Sequence, residues 1–250
     1  MRITLLGTGT SFGVPSVACP CAICTSPDPR NQRTRASIYI EADGAALLID
    51  TATEFRLQAL RHGIRRVDAV LYTHAHADHI SGLDDLRRFA APGPLPCYGD
   101  LATRAGLLKR FDYAFQPPAW PGSAPYLEFR PVFGPLRIAG LTVIPVPLRH
   151  GRLTVLGYRI GAMAYATDCN AIPPASRALL QDLDLLILDA LRFTPHPTHF
   201  TLPEALAVVA DLRPRRTLLT HISHEIDHAT VSTTLPAGVE LAYDGLVVEV

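Results

Sequence analysis

Asp68-Ala69-Val70-Leu71-Tyr72-Thr73-His74-Ala75-His76-Ala77-Asp78-His79 is the stretch of this 250-residue chain that decides its fold. Residues 68–72 are short and apolar behind an opening aspartate, which reads as a strand. Directly after it, three imidazoles and a carboxylate fall within six residues. At a strand end, His74 and His76 project to one side by the two-residue period, and the turn into a following helix can bring Asp78 and His79 round a second point. One loop can then hold two adjacent metal ions. The plain alternative is a solvated polar turn, but such a turn has no need of this much histidine, whereas neutral imidazole is the commonest metal ligand.

Zinc in four- or five-coordinate geometry needs more donors than this turn supplies, so other strand ends must contribute. Three residues qualify. His150 follows the apolar run 141–147, Asp168 closes Ala164-Tyr165-Ala166-Thr167, and His221 closes Thr217-Leu218-Leu219-Thr220. Singly, each is an ordinary polar residue capping a strand. With the first cluster they make a ligand set.

Further strands fit residues 3–6, 37–40, 46–49, 141–146, 154–160, 162–166, 185–188, 217–219 and 246–250, and helical spacing fits 54–61, 83–89, 100–109, 174–180 and 203–211. Interspersed helices and more numerous strands predict sheets covered by helices, a layered α/β or α+β arrangement. The proline-rich stretch 116–135, with Trp120 and little periodicity, reads as an ordered loop or lid. Residues 1–250 show no domain boundary or internal repeat and are expected to form a single domain.

Composition narrows the function classes. Hydrophobic residues make up 48% and charged residues 18%, which excludes a disordered chain. Twenty-three basic residues cancel twenty-three acidic ones, so no global field attracts a polyanion, and nucleic acid is an unlikely partner without a local patch. Lys109 is the sole lysine, and arginine suits bidentate phosphate contacts. The amino terminus reaches Gly7 and Gly9 before an export signal can form, and no apolar run approaches the roughly 20 residues of a membrane helix. A soluble, cytoplasmic protein without a membrane partner is the expectation.

Five cysteines is an odd number, and three crowd into Cys19-Pro20-Cys21-Ala22-Ile23-Cys24. That spacing suits thiolate ligands better than a disulfide framework. His224 completes a Cys₃His set if its loop approaches the amino-terminal one, and such a closed site holds a structural zinc because no position stays open. Cys97 and Cys169 have no such company, and Cys169 reads as a small buried hydrophobe.

The pattern His-x-His-x-Asp-His at His74, His76, Asp78 and His79 resembles that of the metallo-β-lactamase superfamily, over nearly the whole chain. The resemblance implies a four-layer αββα sandwich. It implies one metal held by His74, His76 and His150, a second by Asp78, His79 and His221, and Asp168 bridging both with a hydroxide. The early Cys-x-Cys-x-x-Cys and the late His221-x-x-His224 are similar to the PhnP-type phosphodiesterases, which hydrolyse cyclic ribosyl phosphates. There the catalytic histidine maps to His199, three residues after His196, whose role stays open.

These features predict a phosphodiesterase of small cyclic ribosyl or nucleotide esters with two zinc or manganese ions, one structural zinc and, by resemblance alone, a homodimer. His199 would protonate the leaving oxygen, and Asp168 would stay ionised. The rivals are a PqqB-like cofactor-biosynthesis protein, whose dinuclear motif is typically degenerate, a tRNA 3′-processing nuclease, which the neutral charge disfavours, and a metal-stabilised binding protein without turnover.

Overall fold

The alternation that marks each strand becomes, in a computed structural model describing residues 1–91 and 93–250, two seven-stranded sheets packed face to face. The first contains β1 (Arg2–Gly7), β2 (Ser37–Ala42), β3 (Ala45–Ile49), β4 (Ala69–Leu71), β5 (Leu95–Gly99), β6 (Leu127–Pro131) and β14 (Val247–Glu249), in the order β14-β1-β2-β3-β4-β5-β6. The second contains β7 (Leu136–Ile138), β8 (Leu141–His150), β9 (Leu153–Ile160), β10 (Met163–Ala166), β11 (Leu185–Asp189), β12 (Arg216–Thr220) and β13 (Val239–Leu241), in the order β13-β12-β11-β10-β9-β8-β7. Both are mixed: β3 to β6 run parallel and so do β10 to β13, while the remaining neighbours are antiparallel.

Successive residues of a strand face opposite ways, which creates the layers. Leu47 and Ile49 of β3 and Leu185 and Ile187 of β11 enter the core between the sheets with Tyr158 and Tyr165. Their neighbours Leu48 and Val70 turn outward onto Phe55 of α1 (Phe55–Arg61) and Leu107 of α3 (Leu101–Phe111). On the other side, Leu186 and Leu188 pack beneath Ala205, Val208 and Leu212 of α5 (Leu202–Leu212), near α4 (Pro174–Leu179) and α6 (His228–Ser232). The result is the helix-sheet-sheet-helix sandwich expected from the sequence. Among the described residues, no helix is long and apolar enough to cross a membrane.

Two expectations are corrected, and three strands were not anticipated. The stretch 116–135 is not all loop: Leu127–Pro131 pairs in parallel with Leu95–Gly99 as an edge strand, where proline costs no inward ladder bond. Residues 83–88 form a 3-10 turn rather than an α-helix. The strands β5, β7 and β13 escape detection because they are short or contain proline.

Candidate metal centre

Every residue of the expected ligand set lies at the carboxyl end of a strand or in the turn that follows it, on one rim of the sandwich. The β4 strand runs into the histidine loop and the single turn α2 (Ala77–Ile80), β8 ends on His150, and Asp168 and His221 follow β10 and β12. Cross-sheet hydrogen bonds fix the loop's root: Leu156 N–H donates to Thr73 O (2.9 Å) and the Tyr158 hydroxyl to Tyr72 O (2.7 Å). Asp50, Asp168 and His221 have positive φ values of 61°, 52° and 60°. Left-handed backbone in non-glycine residues is costly and concentrates at functional sites, and here it turns each side chain inward at its strand's end.

Two donor groups result. The ligand atoms of His74, His76, His150 and Asp168 all lie within 4.8 Å of one another, and so do those of Asp78, His79, Asp168 and His221. Asp168 belongs to both: its Oδ2 is 3.7 Å from His74 Nε2, and its Oδ1 is 3.0 Å from His221 Nε2 and 3.2 Å from His79 Nε2. Two nitrogen or oxygen donors on one tetrahedral ion stand about 3.3 Å apart, so these separations fit. The Nε2 atoms of His74, His79 and His221 are buried without a hydrogen-bond partner, a costly condition that a metal ion relieves.

The hydrogen bonds behind the rings fix which nitrogen faces the centre. The Thr73 hydroxyl donates to Asp50 Oδ2 (2.8 Å) and so must accept from His74 Nδ1–H (2.9 Å). His79 Nδ1 donates to Asp50 Oδ2 (2.7 Å), and His150 Nδ1 to Thr198 O (2.9 Å). In all three rings the Nε2 lone pair is therefore left for a cation. Asp50 was not singled out in the sequence. Its only trace there is an aspartate closing the apolar run 46–49.

Electrostatics agree. Burial opposes ionisation of Asp78 and Asp168, yet neighbouring imidazoles hold both carboxyls below their ordinary range. Burial likewise opposes a proton on His221, but Asp168, Asp78 and Asp189 raise it to about 9. His74 is pushed down by burial and by His79. The carboxylates thus gather positive charge, and a divalent cation satisfies them better than shared protons do.

His199 lies beside this centre, its ring 4.7 Å from those of both His150 and His221. Its Nδ1 donates to Oδ2 of the buried Asp189 (3.0 Å), which also accepts from Cys169 N–H (3.0 Å). With Nδ1 donating, the neutral His199 ring keeps its lone pair on Nε2. Asp189, at the end of β11, is a second supporting carboxylate missed in the sequence. Cys97 and Cys169 are fully buried, and burial pushes both thiols up.

The second expected site also assembles. His224 Nδ1 is 3.2, 3.4 and 3.5 Å from Sγ of Cys19, Cys21 and Cys24. A sulfur and a nitrogen on one tetrahedral zinc stand about 3.6 Å apart, so the four donors fit a single ion. Other ties join the same segments: Gly9 bridges Ile222, Asn31 bonds Asp227, and Arg33, almost wholly buried, donates to His228 Nδ1 (3.1 Å). The segment carrying His221 is thereby anchored to the amino-terminal loop.

Residues 46–222 match the family profile described as Beta-lactamase superfamily domain, and residues 1–90 match one described as Anti-Pycsar protein Apyc1. The crystal structure of a new diphosphatase from the PhnP family superposes with a TM-score of 0.93 at 43% identity, covering 100% of this chain and 97% of that one. Zn²⁺-bound PqqB from Methylobacterium extorquens superposes at 0.80 with 21% identity and full coverage of both chains, a likeness of fold. An octanoyltransferase of Porphyromonas gingivalis is 40% identical over 98% of this chain, which spans 51% of that relative's length. The chain belongs to the metallo-β-lactamase superfamily, with a PhnP-family structure among its full-length likenesses.

Proposed function

We propose that this chain is a metal-dependent hydrolase of small phosphodiesters. His74, His76, His150 and Asp168 would hold one divalent ion, Asp78, His79, Asp168 and His221 a second, and Cys19, Cys21, Cys24 and His224 a structural zinc. The observation that carries the reading is the buried Asp189–His199 pair beside an intact two-ion ligand set. Bound zinc or manganese supplies charge neutralisation for phosphoryl oxygens and a bound water of lowered pKa.

The chain's own groups complete the chemistry. Asp189 accepts the Nδ1 hydrogen of His199 and holds the ring, so His199 Nε2 can take up a second proton from solvent and deliver it to the departing oxygen. General acid catalysis of this kind contributes about 10² to 10⁴ in rate. Asp168 stays ionised, shared between the two ligand groups.

A second reading has a specific support: the PhnP-family likeness is a diphosphatase, so the scissile bond can be a phosphoric anhydride with phosphate as leaving group. The octanoyltransferase name describes a chain of which this one matches half, and it adds no step here. The test is hydrolysis of bis(p-nitrophenyl) phosphate and of a nucleoside diphosphate ester, before and after chelation and after restoring Zn²⁺ or Mn²⁺. Metal-dependent turnover of the diester supports the first reading, and turnover of the anhydride alone supports the second. A folded, metal-loaded protein inactive on both but active on a β-lactam overturns the proposal.

A further inference from the structure

The rings of His150, His199 and His196 stand in a row running outward from the metal centre, with centroid separations of 4.7 and 5.1 Å. The chemistry above uses the first two and leaves His196 without a part. Its setting is nevertheless built. Residues 193–200 are closed at the base by the Arg192–Thr201 bridge and by Leu191 N–H donating to Phe200 O (2.9 Å). The Arg192 guanidinium donates to Thr194 O (3.1 Å) and Pro195 O (2.9 Å), fixing the backbone on one side of His196. On the other side, Thr198 O receives His150 Nδ1–H, and Gly151 (φ 60°) packs so closely that an added Cβ would lie 2.8 Å from Thr198 Cγ2.

The ring itself has a defined tautomer. Thr198 approaches His196 Nδ1 with its backbone N–H (3.4 Å) and its hydroxyl (3.2 Å). A backbone N–H can only donate, so Nδ1 holds the lone pair and Nε2 the hydrogen. This is opposite to His74, His79, His150 and His199, whose Nδ1 atoms donate. Those rings offer Nε2 inward. His196 Nε2–H has no protein acceptor among the described residues, and the half-buried ring lies tilted at 47° against that of His199, with centroids 5.1 Å apart.

We propose that His196 is a substrate-binding residue whose Nε2–H donates to a non-bridging phosphoryl oxygen of the substrate beside His199. The inference rests on the phosphoryl-ester reading above and names a further contact at that site. Burial, His199 and Arg192 push the His196 pKa down, so the ring donates as a neutral group. Thr198 couples the two roles: its carbonyl orients His150 while its N–H and hydroxyl orient His196.

The test uses the full-length zinc-loaded protein with inorganic phosphate as probe, by calorimetry, for the wild type, His196→Ala and His196→Gln. Each variant is also assayed for kcat and KM on bis(p-nitrophenyl) phosphate, with zinc content and Tm as folding controls. His196→Ala should weaken phosphate binding about tenfold and raise KM similarly, the effect of one lost hydrogen bond, with kcat within about threefold. His196→Gln, which keeps an N–H donor, should restore both to within about threefold. Equal phosphate affinity in wild type and His196→Ala, or no phosphate binding by the wild type, overturns the inference. So does equal loss in both variants accompanied by a fall in Tm, which marks a structural histidine. If phosphate affinity falls in His196→Ala while the wild type hydrolyses neither ester, the phosphoryl-ester hydrolase reading fails and the anion contact stands.

Discussion

The carboxylate of Asp50 lies 2.7 Å from Nδ1 of His79, and the same oxygen receives the Thr73 hydroxyl that orients His74. One buried residue therefore sets the tautomer of a ligand in each donor group. Groups behind metal-bound histidines typically control 10- to 100-fold in affinity.

Asp50→Asn is accordingly expected to lower affinity for both active-site ions by about 10- to 100-fold, because an amide cannot accept from His79 and Thr73 on one atom while placing its N–H₂ without conflict. Chelator competition reads this directly. Unchanged affinity would show that the ligand rings are held by other contacts.

His199→Ala should lower kcat by about 10² to 10⁴ with both ions retained, since a proton donor acts in the transition state and not in metal affinity. Asp189, His199 and His221 can also form a donor group of their own. Loss of an ion in the variant would make His199 a ligand.

Cys21→Ser should reduce bound metal from three ions per chain to two by elemental analysis and lower Tm. Structural zinc in small peptides contributes about 10 to 16 kcal/mol apparent, and a domain with its own core depends on it less. Because His221 and His224 are three residues apart, activity should fall as well. An unchanged metal count would exclude the cysteines as ligands.

His228 provides a pH test. Burial, then Arg33, depresses its pKa to about 4 from an unfolded value near 6.5. Between those values the unfolded chain binds the extra proton, so this contribution is complete above pH 6.5 and is lost as pH falls toward 4. Relative to His228→Gln, the wild type should lose about 2 kcal/mol more stability between pH 8 and pH 5, measured by denaturant titration. Parallel profiles for the two proteins would contradict the assignment.

The parts legible in the sequence are those whose chemistry is local. His74, His76, Asp78 and His79 announce themselves within six residues, and His150, Asp168 and His221 could be found because each ends an apolar run. The Cys₃His set was readable from cysteine spacing plus one distant histidine. Asp50 and Asp189 were not, because an aspartate closing a strand is common and only the fold places these two behind histidines from other segments. The strand Leu127–Pro131 was hidden by Pro131 and the proline-rich run before it, and an edge position tolerates that proline. His196 was visible as a residue, but its tautomer depends on the backbone N–H of Thr198, and no sequence pattern shows that bond.

The central claim, that the histidine and aspartate rim is a two-ion centre for phosphoryl ester hydrolysis, is tested most directly by titrating Zn²⁺ or Mn²⁺ into chelated protein while following bis(p-nitrophenyl) phosphate turnover and bound-metal count together. Turnover should be absent in the chelated protein and reach its plateau only when both rim sites are filled, at three ions per chain. A folded protein carrying all three ions and hydrolysing neither the diester nor a diphosphate ester would contradict the claim.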